Sequence, residues 1–240
     1  IWYKSRELTF NNELSEMGND REVNTSSINR NRMFAEKLVM TYPLWKGQIE
    51  IGEEYTNTRT TNLFSANILE TPNADNRVDE NNIAVFAELG QQFGRFMIGA
   101  GLRYEHVKFN YYEMGLLRDG QSKTYNNIFP SLNIATEVGK VRMGLNYTGK
   151  TIRPGYDQLD GAISYINRLT YETGNPYLKP TKLQTVEYMA QWRRFFAQLS
   201  YTYFKDGVYH ITEPYGPDGE ATIIRTANLN HRHYLQAFVG

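Results

Sequence analysis

Glu50, Glu54, Glu88, Arg103, Glu105, Arg142 and Glu187 all fall on the polar phase of segments whose alternate positions are apolar. Carboxylates and guanidinium groups spaced in this way can guide a polar solute, or grip a body inserted against the wall they line. The plainer alternative is a satisfied ionic network on a wet surface. Arg153, Tyr156 and Asp157 open a long polar connector and are placed to touch a ligand. Arg153-Pro154 also works as a strand-end device, because proline removes a ladder donor. Gly174, Asn175, Pro176 and Pro180 have the chemistry of turn residues that fix how a loop returns to its strand.

Other chemistries find less support. His231 and His233 share a strand face, but His106 and His210 supply no evident third ligand, so no metal site is expected. Asn73, Asp75, Asn76, Asp79 and Glu80 offer oxygen ligands without the fixed spacing of a calcium loop. Gly99-x-Gly101 is followed by Tyr104 where a dinucleotide fingerprint needs its third glycine, and no helix follows. Neither a nucleophile elbow nor a His-Glu-x-x-His pair is present, so no cofactor and no enzymatic activity are expected.

These residues need strands to position them. From residue 141 to 148, Val141, Met143, Leu145 and Tyr147 occupy one face, and Arg142, Gly144, Asn146 and Thr148 the other. Phe195, Ala197, Leu199, Tyr201 and Tyr203 repeat that parity, as do Ile83, Val85, Ala87 and Leu89, and Phe96, Ile98, Ala100, Leu102 and Tyr104. A helix would space apolar residues three and four apart. The alternation and turn signals predict about eleven strands, over residues 1–11, 33–42, 48–59, 80–90, 95–112, 127–138, 141–153, 182–192, 195–212, 221–230 and 233–240.

Tight turns at residues 43–47, 90–94, 139–140 and 193–194 alternate with long polar connectors at 12–32, 60–79, 113–126, 154–181 and 213–220. All the short turns then lie at one end of the strands and all the long connectors at the other. This is the rhythm of a chain crossing a bilayer as an up-and-down β-barrel, with the long loops extracellular. Strands of about ten residues suit a tilted crossing, and the overshoot at 95–112 and 195–212 predicts extensions beyond the membrane.

Composition agrees. The chain has 240 residues, 26 Lys+Arg against 26 Asp+Glu, and no cysteine, so it shows no basic footprint for nucleic acid and no disulfide or thiolate site. Mean hydropathy is -0.58, which a barrel tolerates because every second residue and every loop is polar. No apolar run is long enough for a transmembrane helix. Tyr42, Trp45, Phe93, Phe96, Trp192 and Phe195 lie beside the short turns, as an interfacial girdle would.

Residues 147–181 read YTGKTIRPGYDQLDGAISYINRLTYETGNPYLKPT. The Arg153-Pro154 pair followed by Tyr156, the tyrosine-rich stretch, and Gly174-Asn175-Pro176-x-Leu178-x-Pro180 resemble the barrel region of TonB-dependent receptors, especially the Bacteroidetes-type outer-membrane β-barrel family. Residues 83–88, Gly101-Leu102-Arg103-Tyr104-Glu105 and Phe129-Pro130-Ser131-Leu132 resemble its neighbouring strands. The likeness runs in order over most of residues 36–211.

The resemblance implies a receptor in the outer membrane of a Gram-negative bacterium that takes up a scarce nutrient, driven by the TonB complex. Family members hold a plug inside a barrel of about 22 strands. Residues 1–240 contain no plug and about half those strands. The expectation is therefore an all-β antiparallel meander that forms part of an outer-membrane barrel domain, with lipid, an unknown small solute, and the remainder of its own barrel and plug as partners. Its open edges would pair with further strands or, in an isolated fragment, with a second copy. Two alternatives stand beside it: a soluble carbohydrate-binding β-sandwich, and a barrel enzyme such as a lipase or protease.

Overall fold

The structure is a computed structural model that describes residues 1–14 and 22–240, with only the backbone at 10–14 and 22. The alternating segments form ten long strands. They are β1 (Trp2–Leu14), β2 (Glu22–Leu44), β3 (Gly47–Ala66), β4 (Ala74–Phe93), β5 (Phe96–Glu113), β7 (Lys123–Val138), β8 (Val141–Ile152), β11 (Thr181–Trp192), β12 (Phe195–Tyr215) and β13 (Ala221–Val239). Each pairs antiparallel with the next in chain order, giving a single meandering sheet. Three short strands complete it. β6 (Leu116–Leu117) extends β5, while β9 (Ile163–Asn167) and β10 (Thr170–Thr173) form a hairpin whose second strand runs parallel to β13 at its edge.

Four connections are two-residue turns, Trp45–Lys46, Gly94–Arg95, Gly139–Lys140 and Arg193–Arg194. The first residue of each has positive φ, between 52° and 63°, as tight hairpins need to match strand twist. Gly94 and Gly139 adopt this freely. Trp45 and Arg193 do so at a steric cost. The second turn lies at 94–95, later than the pattern predicts, because β4 continues pairing to Phe93.

The register confirms the parity. Tyr42, Ile49, Leu89, Ala100, Leu132, Tyr147, Val186, Tyr201 and Leu235 are successive cross-strand partners in one row. This outer face exposes apolar and aromatic side chains along the short-turn half of the strands, among them Leu38, Met40, Leu102 and Leu199. Glu36 and Glu53 interrupt it on β2 and β3. Towards the long connectors the face ends in rings that carry polar groups. Tyr55 donates to Asn81, Tyr104 to Asn126, and Tyr201 and Tyr203 hydrogen-bond His233 and His231. An aromatic body against lipid with its polar tip toward water is the interfacial arrangement.

Two expectations are corrected. Residues 221–230 and 233–240 form one strand, β13, so the long strands number ten rather than eleven. Much of the predicted connectors 12–32 and 60–79 is strand: β2 starts at Glu22, β3 runs to Ala66 and β4 starts at Ala74, while residues 15–21 lie outside the described residues. These extensions are mostly polar on both faces, with only scattered apolar residues such as Val23, Phe64 and Val78, so they lack the apolar period. They hold through continuous ladders and cross-strand pairs such as Asn62 with Asn29 and Thr60 with Asn31. A strand of 23 residues, such as β2, is about twice the length of a crossing. With one sheet and no second sheet packed on it among the described residues, the architecture is not a sandwich.

An arginine at Leu145 or Leu199 should destabilise the membrane-inserted barrel by about 2–4 kcal/mol, whereas one at Asn146 or Ser200 should be tolerated. Heat-modifiable migration of the assembled protein reads the difference.

Candidate functional site

The segment 153–180 between β8 and β11 does not stand out in water but folds back over the opposite, inner face of the sheet. One helical turn, α1 (Tyr156–Leu159), leads into the β9–β10 hairpin. Leu159 and Leu178 are buried against Val78 of β4 and Phe109 and Tyr111 of β5, with Tyr156 and Val208 at the margin. A second cluster joins Tyr165 and Tyr171 of the hairpin to Val23 of β2, Ile68 of the β3–β4 connector and Ile223 of β13.

The Gly-Asn-Pro element holds this fold-back. A Cβ on Gly174 would lie 2.4 Å from the Asp160 carbonyl oxygen, 2.6 Å from that of Gln158 and 2.7 Å from that of Asp157. Only glycine fits there. Asn175 donates its backbone N–H to Gln158 O at 2.6 Å and its Nδ2 to Thr226 O at 3.0 Å, and its Oδ1 accepts from Tyr177 N–H at 2.9 Å. Leu178 N–H closes a turn onto Asn175 O, which drives Leu178 into the cluster at 2% exposure. Lys123 Nζ donates to Leu178 O at 3.0 Å, and Asn228 bonds Lys179 through both N–H and C=O. Pro176 and Pro180 bracket the turn, where no backbone donor is required.

Beneath the segment runs a chain of alternating charge. Glu54 accepts from Lys37 at 2.7 Å and from Arg103 Nη2 at 2.5 Å, and Arg103 Nε reaches Glu105 at 2.8 Å. Glu105 accepts from Arg153 Nη2 at 3.0 Å, and Arg153 Nη1 meets Glu80 at 3.4 Å. The structure thus brings together Glu54, Arg103, Glu105 and Arg153 of the predicted site. It adds Lys37 and Glu80, of which the sequence pattern offered only Glu80, as a loop oxygen ligand. Lys37 sits mid-segment with no motif around it.

The other predicted residues do not join this chain. Glu50 and Glu88 are direct cross-strand partners nearer the short turns, with no ion pair among the described residues. Arg142 pairs with Glu137 at 3.0 Å in an exposed setting, and Glu187 lies half-buried between Asn146 and Ser200. Tyr156 and Asp157 lie on the wall of a cavity of about 750 Å³ between α1 and the inner face of β1–β3. That wall carries the carboxylates of Glu7, Asp157, Asp160 and Glu172 among hydroxyls and amides and, among the described residues, no lysine or arginine. The buried Oδ1 of Asn62, also on the wall, has no hydrogen-bond partner among the described residues. The oxygen side chains of residues 76–80 do not converge, because alternation turns Asn76 and Glu80 inward to Asp160 and Arg153 but Asp79 outward to Arg59.

A ten-strand wall with an apolar outside and an ionic, loop-covered inside is the geometry of a barrel segment, and the profile of the outer membrane protein beta-barrel family matches residues 3–239. The chain belongs to that family. Its place is the outer membrane. Among solved structures, the copper transporter OprC superposes with a TM-score of 0.68 at 13% identity, over 98% of this chain and 40% of that one. The hemophore receptor HasR of Serratia marcescens gives 0.59 at 10% identity, over 99% and 45%. The ferric enterobactin receptor PfeA of Pseudomonas aeruginosa gives 0.58 at 14% identity, over 99% and 38%. The chain therefore spans less than half the length of these structures, and at such identities the likeness is one of fold. No curated protein sequence matches.

Within this outer-membrane barrel the fold-back carries its own titration. Burial lifts the Asp160 carboxyl above its ordinary range, against the opposing hydrogen bonds from Ala162 N–H at 3.0 Å and Asn76 Nδ2 at 2.5 Å. Burial and, secondarily, the Glu80 carboxylate push the Tyr156 phenol up to about 12, so it stays protonated beside Thr58. Because the folded state binds the Asp160 proton more tightly than the unfolded chain, docking is strongest below the ordinary carboxylate pKa and weakens as pH rises through the raised value.

Asp160→Asn keeps the acceptor oxygen and should remove that weakening, read as rate-corrected hydrogen exchange over 153–180 across pH. Gly174→Ala should loosen the same segment by about 1–3 kcal/mol, making it protease-sensitive while the barrel still assembles.

Proposed function

We propose that this chain is a portion of the barrel domain of a TonB-dependent outer-membrane receptor that takes up a scarce nutrient. The observation that carries the reading is the fold match over nearly the whole chain to about two-fifths of a transporter. Further strands and a plug then belong to the same receptor, and the TonB complex supplies energy through them. The Arg153-Pro154 and Gly174-Asn175-Pro176 elements favour the Bacteroidetes-type branch. On this reading the inner face is the lumen. Its long-connector half is closed by segment 153–180, and its short-turn half, with Glu50, Glu88, Arg142 and Glu187, is left to meet the plug.

No enzymatic role is proposed, and the solved structures of this fold cited above are transporters and receptors. Tyr156 and Asp157 line the solute's path at the mouth. Arg153 acts there through Glu80 and Glu105, holding α1 at the wall. The acidic, hydroxyl-rich cavity wall suits a neutral or cationic polar solute better than an anion.

The test is growth of the source bacterium on single limiting nutrients, with the receptor deleted and then restored. Deletion should abolish high-affinity uptake of one nutrient, dissipating the proton gradient should do the same, and Asp157→Ala should weaken that uptake about tenfold without loss of barrel. Uptake that survives deletion for every nutrient, or that ignores the proton gradient, would overturn the proposal.

A further inference from the structure

The outer face carries a feature that solute uptake does not use. Just beyond the apolar band, Lys4 of β1 is the direct cross-strand partner of Arg32 of β2, and Arg6 is the partner of Arg30. All four share the outer phase of their strands, since Ser5, Asn29 and Asn31 line the inner cavity between them. All four are exposed. None forms an ion pair among the described residues.

Directly opposed like charges destabilise a sheet, their Cβ atoms being only about 5 Å apart. Their neighbours show the ordinary remedy. Arg59, the next residue in the Lys4 and Arg32 row, holds Asp79 through two bonds of 2.6 and 3.0 Å, and Arg77 stacks on the Tyr112 ring at 3.8 Å. On this face the nearby carboxylates among the described residues are Asp79, already engaged, Asp75, further along the same strand, and Glu36, two rows toward the apolar band. Among the described residues, the four cations of β1 and β2 are left without a counter-charge.

Their position relative to the membrane selects the anion. The row on the short-turn side of Lys4 and Arg32 is aromatic: Trp2 is the partner of Phe34, and Phe34 contacts the Tyr55 ring at 6.3 Å. Below it Leu38 and Met40 are 67% and 64% exposed. Aromatic residues mark the interface, and cations just outside it meet lipid headgroups. Counted from the short turn at Trp45, Arg32 and Arg30 lie beyond the roughly 9–11 residues of a crossing, on the long-connector side that faces outward.

We propose that Lys4, Arg6, Arg30 and Arg32 bind the phosphate groups of an anionic glycolipid of the outer leaflet, whose acyl chains lie along Leu38 and Met40. The site rests on the barrel orientation and not on the identity of any transported solute, so uptake and lipid binding can fail independently.

The test uses the whole receptor, purified from outer membranes in mild detergent, and native mass spectrometry with three probes: phosphorylated lipid A, the same lipid dephosphorylated, and inorganic phosphate. The variant Lys4→Gln, Arg6→Gln, Arg30→Gln, Arg32→Gln is compared with a control of equal charge change at the short turns, Lys46→Gln, Arg95→Gln, Lys140→Gln, Arg194→Gln. Phosphorylated lipid should bind wild type and control alike, and each outer-face cation removed should weaken it about fivefold. If the fourfold variant does not assemble, Arg30→Gln with Arg32→Gln carries the same expectation at about 25-fold. Equal loss in the control, no loss in the variant, or equal binding of the dephosphorylated lipid would sink the proposal. So would inorganic phosphate that saturates the site and leaves lipid binding unchanged.

Discussion

Hydrocarbon offers no hydrogen-bond partner, so each peptide group at membrane depth must be satisfied by a neighbouring strand. Most of this fold follows from that requirement. Strands that must pair on both sides, and that come in chain order, need the shortest possible links at one end, and the chain accepts positive φ at Trp45 and Arg193 to make them. The same pairing fixes the parity, because a slip of one residue would exchange the lipid and inner faces of an entire strand. Where the membrane ends the requirement relaxes, and there the polar strand extensions and the single helical turn occur.

On the inner face the organising interaction is ionic. Lys37, Glu54, Arg103, Glu105, Arg153 and Glu80 alternate in sign across β2, β3, β5, the fold-back and β4. Each carboxylate of this line, Glu54, Glu105 and Glu80, has a cation on at least one side, so the desolvation of a half-buried wall is shared along it. Arg153 is the joint, since it belongs to the moving-in segment while its partners belong to the wall. Pro154 next to it ends the β8 ladder and lets the chain turn inward.

How much could be read in advance differs by link. Parity, the short-turn end and the inner phase of the charged residues were legible because they depend on neighbours one and two residues away. The strand extensions were not, since Asn, Thr and Ser on both faces imitate a loop until their ladder partners are known. The fold-back was legible only as punctuation. Gly174 and Asn175 looked like turn residues and do make a turn, but the three carbonyl oxygens that exclude a side chain at Gly174 come from the α1 region, and Thr226 comes from β13. Arg153 stood out beside its proline, whereas its partners Glu80 and Glu105 lie 73 and 48 residues away, and no local pattern links them to it.

The docked segment also orders events in time. Its anchors are spread over Val23 near the start of β2, Asn76 and Glu80 on β4, and Thr226 and Asn228 on β13. A contact set with such long sequence separations forms late, because the loops between its members must be closed first. Residues 153–180 can therefore complete their docking only once β13, one of the surfaces they need, has paired. The inward fold of this connector is thus a record of completed assembly: it can close only over a wall whose β2 and β13 ends are both in place.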